Sequence, residues 1–135
     1  MPGIFSKIAS GEILSHKIAE TENCFAFLDI MPLVRGHVLV IPKKEIDYLF
    51  DVDDVLLQEM ILFSKKVSRA IKEVIDCRRV GIAVIGLEVP HAHIHLVPLN
   101  KMDDINFSRP KLKPTQEELA STAALISKKY SELYS

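Results

Sequence analysis

His91, His93 and His95 alternate with Ala92, Ile94 and Leu96 in a run that continues to Pro98. A period of two belongs to a β-strand, where successive side chains point to opposite faces. Such a strand puts three imidazoles on one face and three apolar residues on the other, so it demands a sheet with one face closed by a core. Only five histidines occur in 135 residues, and three of them fall within five positions. The polar face of an ordinary solvated strand mixes Thr, Ser, Lys and Glu instead. Imidazole changes charge nearest physiological pH and serves as nucleophile, proton shuttle, phosphate donor or metal ligand.

The surrounding sequence supplies the elements for that sheet. Ile4, Phe5, Ile8 and Ile13 have the spacing of a short helix that Gly11 ends. A weak strand is expected from Lys17 to Glu20. Cys24 to Leu28 and Val38 to Ile41 are continuous apolar runs, read as strands joined by a loop carrying Pro32 and Gly36. Asp51 to Asp54 offer N-caps for a long amphipathic helix whose apolar stripe is Leu56, Met60, Phe63, Val67, Ala70, Ile71 and Val74. Val80 to Ile85 reads as a fourth strand, linked to the histidine strand by Gly86 to Pro90. Because Val38 to Ile41 and Val80 to Ile85 are apolar on both faces, both are expected to lie centrally. Thr115 and Glu118 form a capping box that opens a last helix with Leu119, Ala123, Ile126 and Tyr130 on its apolar face.

The expected architecture is α+β, a five-stranded antiparallel sheet with one long helix, a short N-terminal helix and a C-terminal helix. One domain over residues 1–135 is expected, with its motifs in 4–100 and a helical extension from about 115 to 134.

Composition removes several function classes. A net charge of -1 with 26% charged residues gives no electrostatic basis for nucleic acid binding. Lys43-Lys44, Lys65-Lys66 and Arg78-Arg79 are read as solvated faces. No stretch reaches the roughly 18 apolar residues of a membrane span, and Met1 to Lys7 lacks a signal-peptide core. Cys24 and Cys77 form no Cys-x-x-Cys pair and fit buried thiols in a reducing compartment, so a cytoplasmic location is expected.

Two chemistries compete for the histidines. A strand rises about 3.3 Å per residue, which separates the outer two α-carbons by roughly 13 Å. Zinc ligand atoms lie about 2.0–2.1 Å from the metal, so all three cannot readily share one ion. Two of them with His37 remain a zinc option. The catalytic reading makes His93 a nucleophile toward phosphorus, with its other ring nitrogen held as a donor. The flanking histidines then orient it and donate to phosphoryl oxygens or the leaving group, and His37 joins the network. His16 stands apart, as a surface residue.

The segment His91-Ala-His-Ile-His-Leu-Val-Pro98 resembles the His-x-His-x-His-x-x signature of the histidine triad (HIT) nucleotide-binding hydrolases and transferases. The resemblance extends through Ile4-Phe-Ser-Lys-Ile8, Ala26-Phe-Leu-Asp-Ile30 and Gly36-His-Val-Leu-Val-Ile-Pro-Lys-Lys44, about the first hundred residues, and is strongest to the Hint-like branch. It implies a HIT-like fold, a homodimer and a purine nucleotide substrate such as an AMP conjugate, without cofactor or metal. The implied activity is a purine nucleoside phosphoramidase or nucleotidyl hydrolase acting at the α-phosphorus through a nucleotidyl-histidine. By motif position His93 would be the nucleophile, His95 the phosphate and leaving-group contact, and His91 and His37 supporting histidines. Asp29 would hold the ribose hydroxyls, and Ile4, Phe5, Ile8, Phe27, Ile30 and Leu39 would line the base pocket.

The phosphate side departs from the family pattern. Where relatives carry Gly-Gln-Ser/Thr/Val after an asparagine-containing loop, this chain runs from Val80-Gly-Ile-Ala-Val-Ile85 straight into Gly86, Leu87 and Glu88. A carboxylate beside a phosphate dianion is repulsive unless protonated or turned away. Glu88 therefore favours a cationic, amine-like leaving group. Dinucleoside polyphosphate hydrolysis, a nucleotide-binding regulator with weak turnover, and a three-histidine zinc enzyme are the alternatives.

Overall fold

In the computed structural model, residues 2–135 are described. Five strands, β1 (Lys17–Glu20), β2 (Cys24–Leu28), β3 (Val38–Pro42), β4 (Arg79–Ala83) and β5 (Ile94–Leu99), form one antiparallel sheet in the order β1-β2-β3-β5-β4. The helices are α1 (Ile4–Ser10), α2 (Asp54–Val74) and α3 (Gln116–Tyr134).

Local chemistry accounts for the helix ends. Gly11 closes α1 at φ 87°, a left-handed conformation that suits glycine. The Asp53 side chain accepts from the Leu56 amide at the start of α2. At α3, Thr115 accepts from the Glu118 amide while the Glu118 carboxylate accepts from the Thr115 amide, completing the predicted capping box.

The sheet separates two apolar layers. Ala26, Leu28, Val38, Val40, Ile94 and Leu96 face Met60, Phe63, Val67 and Ile71 of α2 and Leu119, Ala123 and Ile126 of α3. On the other face, Phe25, Phe27, Leu39 and Ile41 meet Phe5 and Ile8 of α1. β2 and β3 are buried on both faces, as their unbroken apolar runs require. The second layer is thin, and the histidines stand at its margin.

Two expectations are corrected. β4 is not central: it pairs only with β5, and Ile82 is 54% exposed. Its apolar run reflects an uncovered edge rather than burial on both faces. The histidine run is also not one strand, since β5 starts at Ile94 and the β4–β5 connection occupies residues 84–93. Gly86 turns at φ 74°, and the chain then docks through Ala92 N–H to the Ile46 carbonyl at 2.7 Å instead of pairing within the sheet. The alternation of faces survives because His91, His93 and His95 still lie opposite Ala92, Ile94 and Leu96.

Gly36 delivers His37 into β3 at φ 91°, and a Cβ there would sit 3.0 Å from Ile75 Cγ1 and 3.2 Å from Pro98 Cγ. Gly36→Ala combines left-handed strain with crowding. We expect it to lower unfolding free energy by about 1–3 kcal/mol, measured by urea titration.

Candidate active site

Phe27, Leu39 and His95 lie in one cross-strand row, because Phe27 pairs with Leu39 and Leu39 pairs with His95. The sheet thereby places an imidazole directly beside the apolar layer under α1. Phe5 of α1 touches both other members of the triad, with ring centroids 5.9 Å from His91 and 5.2 Å from His93. His93 and His95 are 5.0 Å apart, and His37 is 5.2 Å from His95. All four rings are buried.

The hydrogen bonds assign a tautomer to each ring. The Leu33 amide donates to His37 Nδ1 at 3.1 Å, so the His37 proton resides on Nε2. His37 Nε2 then donates to His95 Nδ1 at 2.9 Å, leaving the His95 proton on Nε2. His93 Nδ1 lies 2.7 Å from the His91 carbonyl, which can only accept, so His93 carries its proton there and keeps a free lone pair on Nε2. His91 Nε2 likewise donates to the Pro42 carbonyl at 2.7 Å, which ties the loop to β3. His91 Nδ1 is buried without a partner among the described residues.

Burial maintains this neutral relay. It pushes His37 down to about 3 and His95 down to about 4, aided by the charges of neighbouring histidine and of Lys111. Asp29 is pushed upward by burial, opposed by the Met31 amide and by the His93 and Lys111 charges. One of its oxygens accepts from Met31 N–H at 2.9 Å, the turn-forming role that its place before Pro32 suggests, and Oδ2 lies 3.7 Å from His37 Nε2.

The expected base-pocket residues divide. Phe5, Ile8, Phe27 and Leu39 are brought together, joined by Phe25, Ile41 and Val89, which the motif reading missed. Ile4 and Ile30 are exposed, 52% and 57%, at the rim. Gly86, Leu87 and Glu88 all lie on the exposed loop, and the Glu88 charge reaches Asp29, where it acts to raise the carboxyl. Lys43 pairs with Glu20 at 2.7 Å, a surface use, and His16 bonds Gln116 at 2.8 Å away from the site.

Sequence reasoning also missed Phe107. Its ring stands edge-on to His95 at 4.8 Å and to His37 at 6.2 Å. The signal was a lone aromatic in a polar, proline-bearing stretch, which carries no periodicity. A cleft of about 390 Å³ between the β2–β3 loop and α3 meets the site only at Asp29 and His37.

The zinc option changes its ligands. The group brought within 4.8 Å is Asp29, His37 and His95, not His37 with two triad members. This set fits a cation poorly. The Leu33 amide occupies His37 Nδ1, so the Nε2 that faces Asp29 is the protonated nitrogen and offers no lone pair.

The relay has a thermodynamic consequence. An unfolded histidine titrates near 6.5, whereas His37 and His95 stay neutral to about 3 and about 4. Between those values the unfolded chain binds protons that the folded chain does not, so stability falls as pH is lowered from about 6.5 toward 4. Urea midpoints across that range should decline. His37→Leu should flatten the decline and cost about 1–3 kcal/mol, because the Leu33 amide loses its acceptor.

The family model described as HIT domain matches residues 10–102. The chain is 38% identical over 113 residues to an uncharacterised HIT-like protein of Borreliella burgdorferi, covering 78% of this chain and 81% of that one. It is 33% identical over 131 residues to the adenosine 5′-monophosphoramidase hnt1 of Schizosaccharomyces pombe, covering 96% and 98%. Its fold matches the crystal structure of a zinc-bound histidine triad family protein from Mycobacterium smegmatis with TM-score 0.84, at 29% identity over 98% of this chain and 96% of that one. With the domain match spanning the sheet and the histidine relay together, the chain belongs to the HIT, or histidine triad, family.

Proposed function

We propose that this protein is a purine nucleoside phosphoramidase that forms a transient nucleotidyl-histidine on His93. One observation carries the reading: the His93 Nδ1–H bond to the His91 carbonyl leaves the Nε2 lone pair as the free nucleophile of the site. His93 Nε2 bonds to the α-phosphorus as the phosphorus–nitrogen bond to the leaving amine breaks, and the amine takes up one proton. Water then breaks the phosphorus–His93 bond, yielding the nucleoside monophosphate and returning that proton.

The neighbours divide the remaining work. His95 Nε2–H, oriented by His37, donates to a phosphoryl oxygen or the leaving group as charge develops. Asp29 Oδ2, not used by the Met31 turn, accepts from the ribose hydroxyls. Phe5, Ile8, Phe27 and Leu39 receive the base, with Ile4 and Ile30 at the rim. Gly86 lets the loop turn beside the phosphate, and Glu88 attracts a cationic amine at the leaving side. The fission yeast relative, an adenosine 5′-monophosphoramidase, supports this chemistry, and the protonated His37 Nε2 supports a course without metal.

The assembly we propose is a homodimer joined at the outer edge of β4, where Ile82, Val84 and Ile85 are exposed beside unpaired backbone. Among the described residues no helix is long and apolar enough to cross a membrane. Free Cys24, buried and pushed up to about 12, fits a reducing cytoplasm. Sedimentation equilibrium should return twice the chain mass of 15.2 kDa; a monomer at micromolar concentration would exclude the dimer.

Chelator-treated protein incubated with adenosine 5′-phosphoramidate should release AMP and carry an adenylyl group on His93 in the mass spectrum of the quenched reaction. His93→Ala should lose at least about a thousandfold in rate. Glu88→Gln should narrow the preference for cationic over neutral leaving amines. Activity abolished by chelation and restored by zinc would return the zinc reading, and AMP binding without turnover would make the protein a nucleotide-binding regulator.

A further inference from the structure

The segment that follows β5 is built onto the site rather than hung beside it. Asp104 accepts from the Asn100 and Lys101 amides and fixes the first turn, and Arg109 reaches back to the Leu33 carbonyl at 2.5 Å while pairing with Asp103 at 3.2 Å. The Leu112 amide donates to the Pro32 carbonyl at 2.9 Å. Between these anchors, Phe107 lies against His95 and His37.

Lys111 is the cation of this strap. Its ammonium donates to the Phe107 carbonyl at 2.7 Å and sits 5.8 Å from the centre of the Phe107 ring, which in turn stands 4.8 Å from the His95 ring. The charge is therefore held within the sum of those two distances of the His95 ring. The side chain is half-buried, and among the described residues no carboxylate lies within 4.0 Å of it, whereas Lys17, Lys43 and Lys129 are paired on the surface. Its charge is felt at three groups of the site, Asp29, His37 and His95. One of its three N–H donors goes to the Phe107 carbonyl and a second makes a long contact of 3.5 Å to the Arg109 carbonyl.

We propose that Lys111 binds the phosphate of the nucleotide, supplying the charge-assisted donor that Leu87 and Glu88 do not. The inference rests on the nucleotidyl-transfer reading and deepens it. A partly buried ammonium without a carboxylate is best satisfied by an anion, and the anion that reading brings beside His95 is the α-phosphate. The Lys111 and Glu88 charges both act on Asp29 and in opposite senses, so the strap brings to the site a cation that the exposed Leu87-Glu88 loop lacks. Lys111 then faces the phosphoryl oxygens, and Glu88 faces the amine.

The test compares ligands that differ only in charge. Calorimetric titration of AMP and of neutral adenosine into wild-type protein, Lys111→Ala, Lys111→Gln and Lys111→Arg should show AMP affinity falling at least about tenfold in the Ala and Gln variants. Adenosine affinity should be unchanged and the Arg variant should stay near wild type. Loss of AMP and adenosine binding together would mean that Lys111 only seats Phe107, and would overturn the assignment. Equal AMP affinity in wild type and Lys111→Ala would also overturn it, while leaving His93 chemistry standing if AMP release persists. Wild-type protein that neither binds AMP nor cleaves the phosphoramidate would remove both readings.

Discussion

The amide of Leu33 donating into His37 Nδ1 is the interaction on which the site depends. An N–H cannot be turned into an acceptor, so this one bond decides which nitrogen of His37 holds the proton, and His37 in turn decides for His95. The His37–His95 pair is thus oriented by backbone, and among the described residues no carboxylate is hydrogen-bonded into it. Backbone does the same for His93, whose Nδ1 the His91 carbonyl fixes. Burial makes the His37–His95 arrangement durable, because a charged imidazole there would be desolvated.

Much of this was legible in the chain. Alternation separated His91, His93 and His95 from Ala92, Ile94 and Leu96, and unbroken apolar runs located β2 and β3 between two layers. Apolar content did not distinguish β4 from them. An edge strand and a central strand look alike when the edge is uncovered, so Val80 to Ile85 was misplaced. The histidine run was extended in sequence terms, yet Gly86 and the Ala92 to Ile46 bond take its first half out of the sheet. A carbonyl that accepts from a ring nitrogen leaves no mark in sequence, and neither does the seating of Phe107 or Lys111, because strap residues obey no helical or strand period.

Charge within the site is arranged by removal as well as by placement. His37 and His95 are held neutral by burial, which keeps imidazolium charge off this pair. Asp29 is half-buried and drawn upward by the same desolvation, offset by the amide of Met31. Leu87 and Glu88, on the exposed loop before the histidines, are where the sequence departs from the family pattern.

Pro32 and Leu33 share one peptide group, whose carbonyl accepts from the Leu112 amide and whose N–H enters His37. Hydrogen bonds arranged head to tail polarise one another. From Leu112 through that peptide to His37 and His95, four groups therefore form a single directed chain, and pull on the carbonyl at one end sharpens the proton offered at the other. A strap residue outside the histidine cluster thus helps to polarise the His95 ring, so the seating of a surface segment and the polarity of a buried imidazole are two readings of the same dipole.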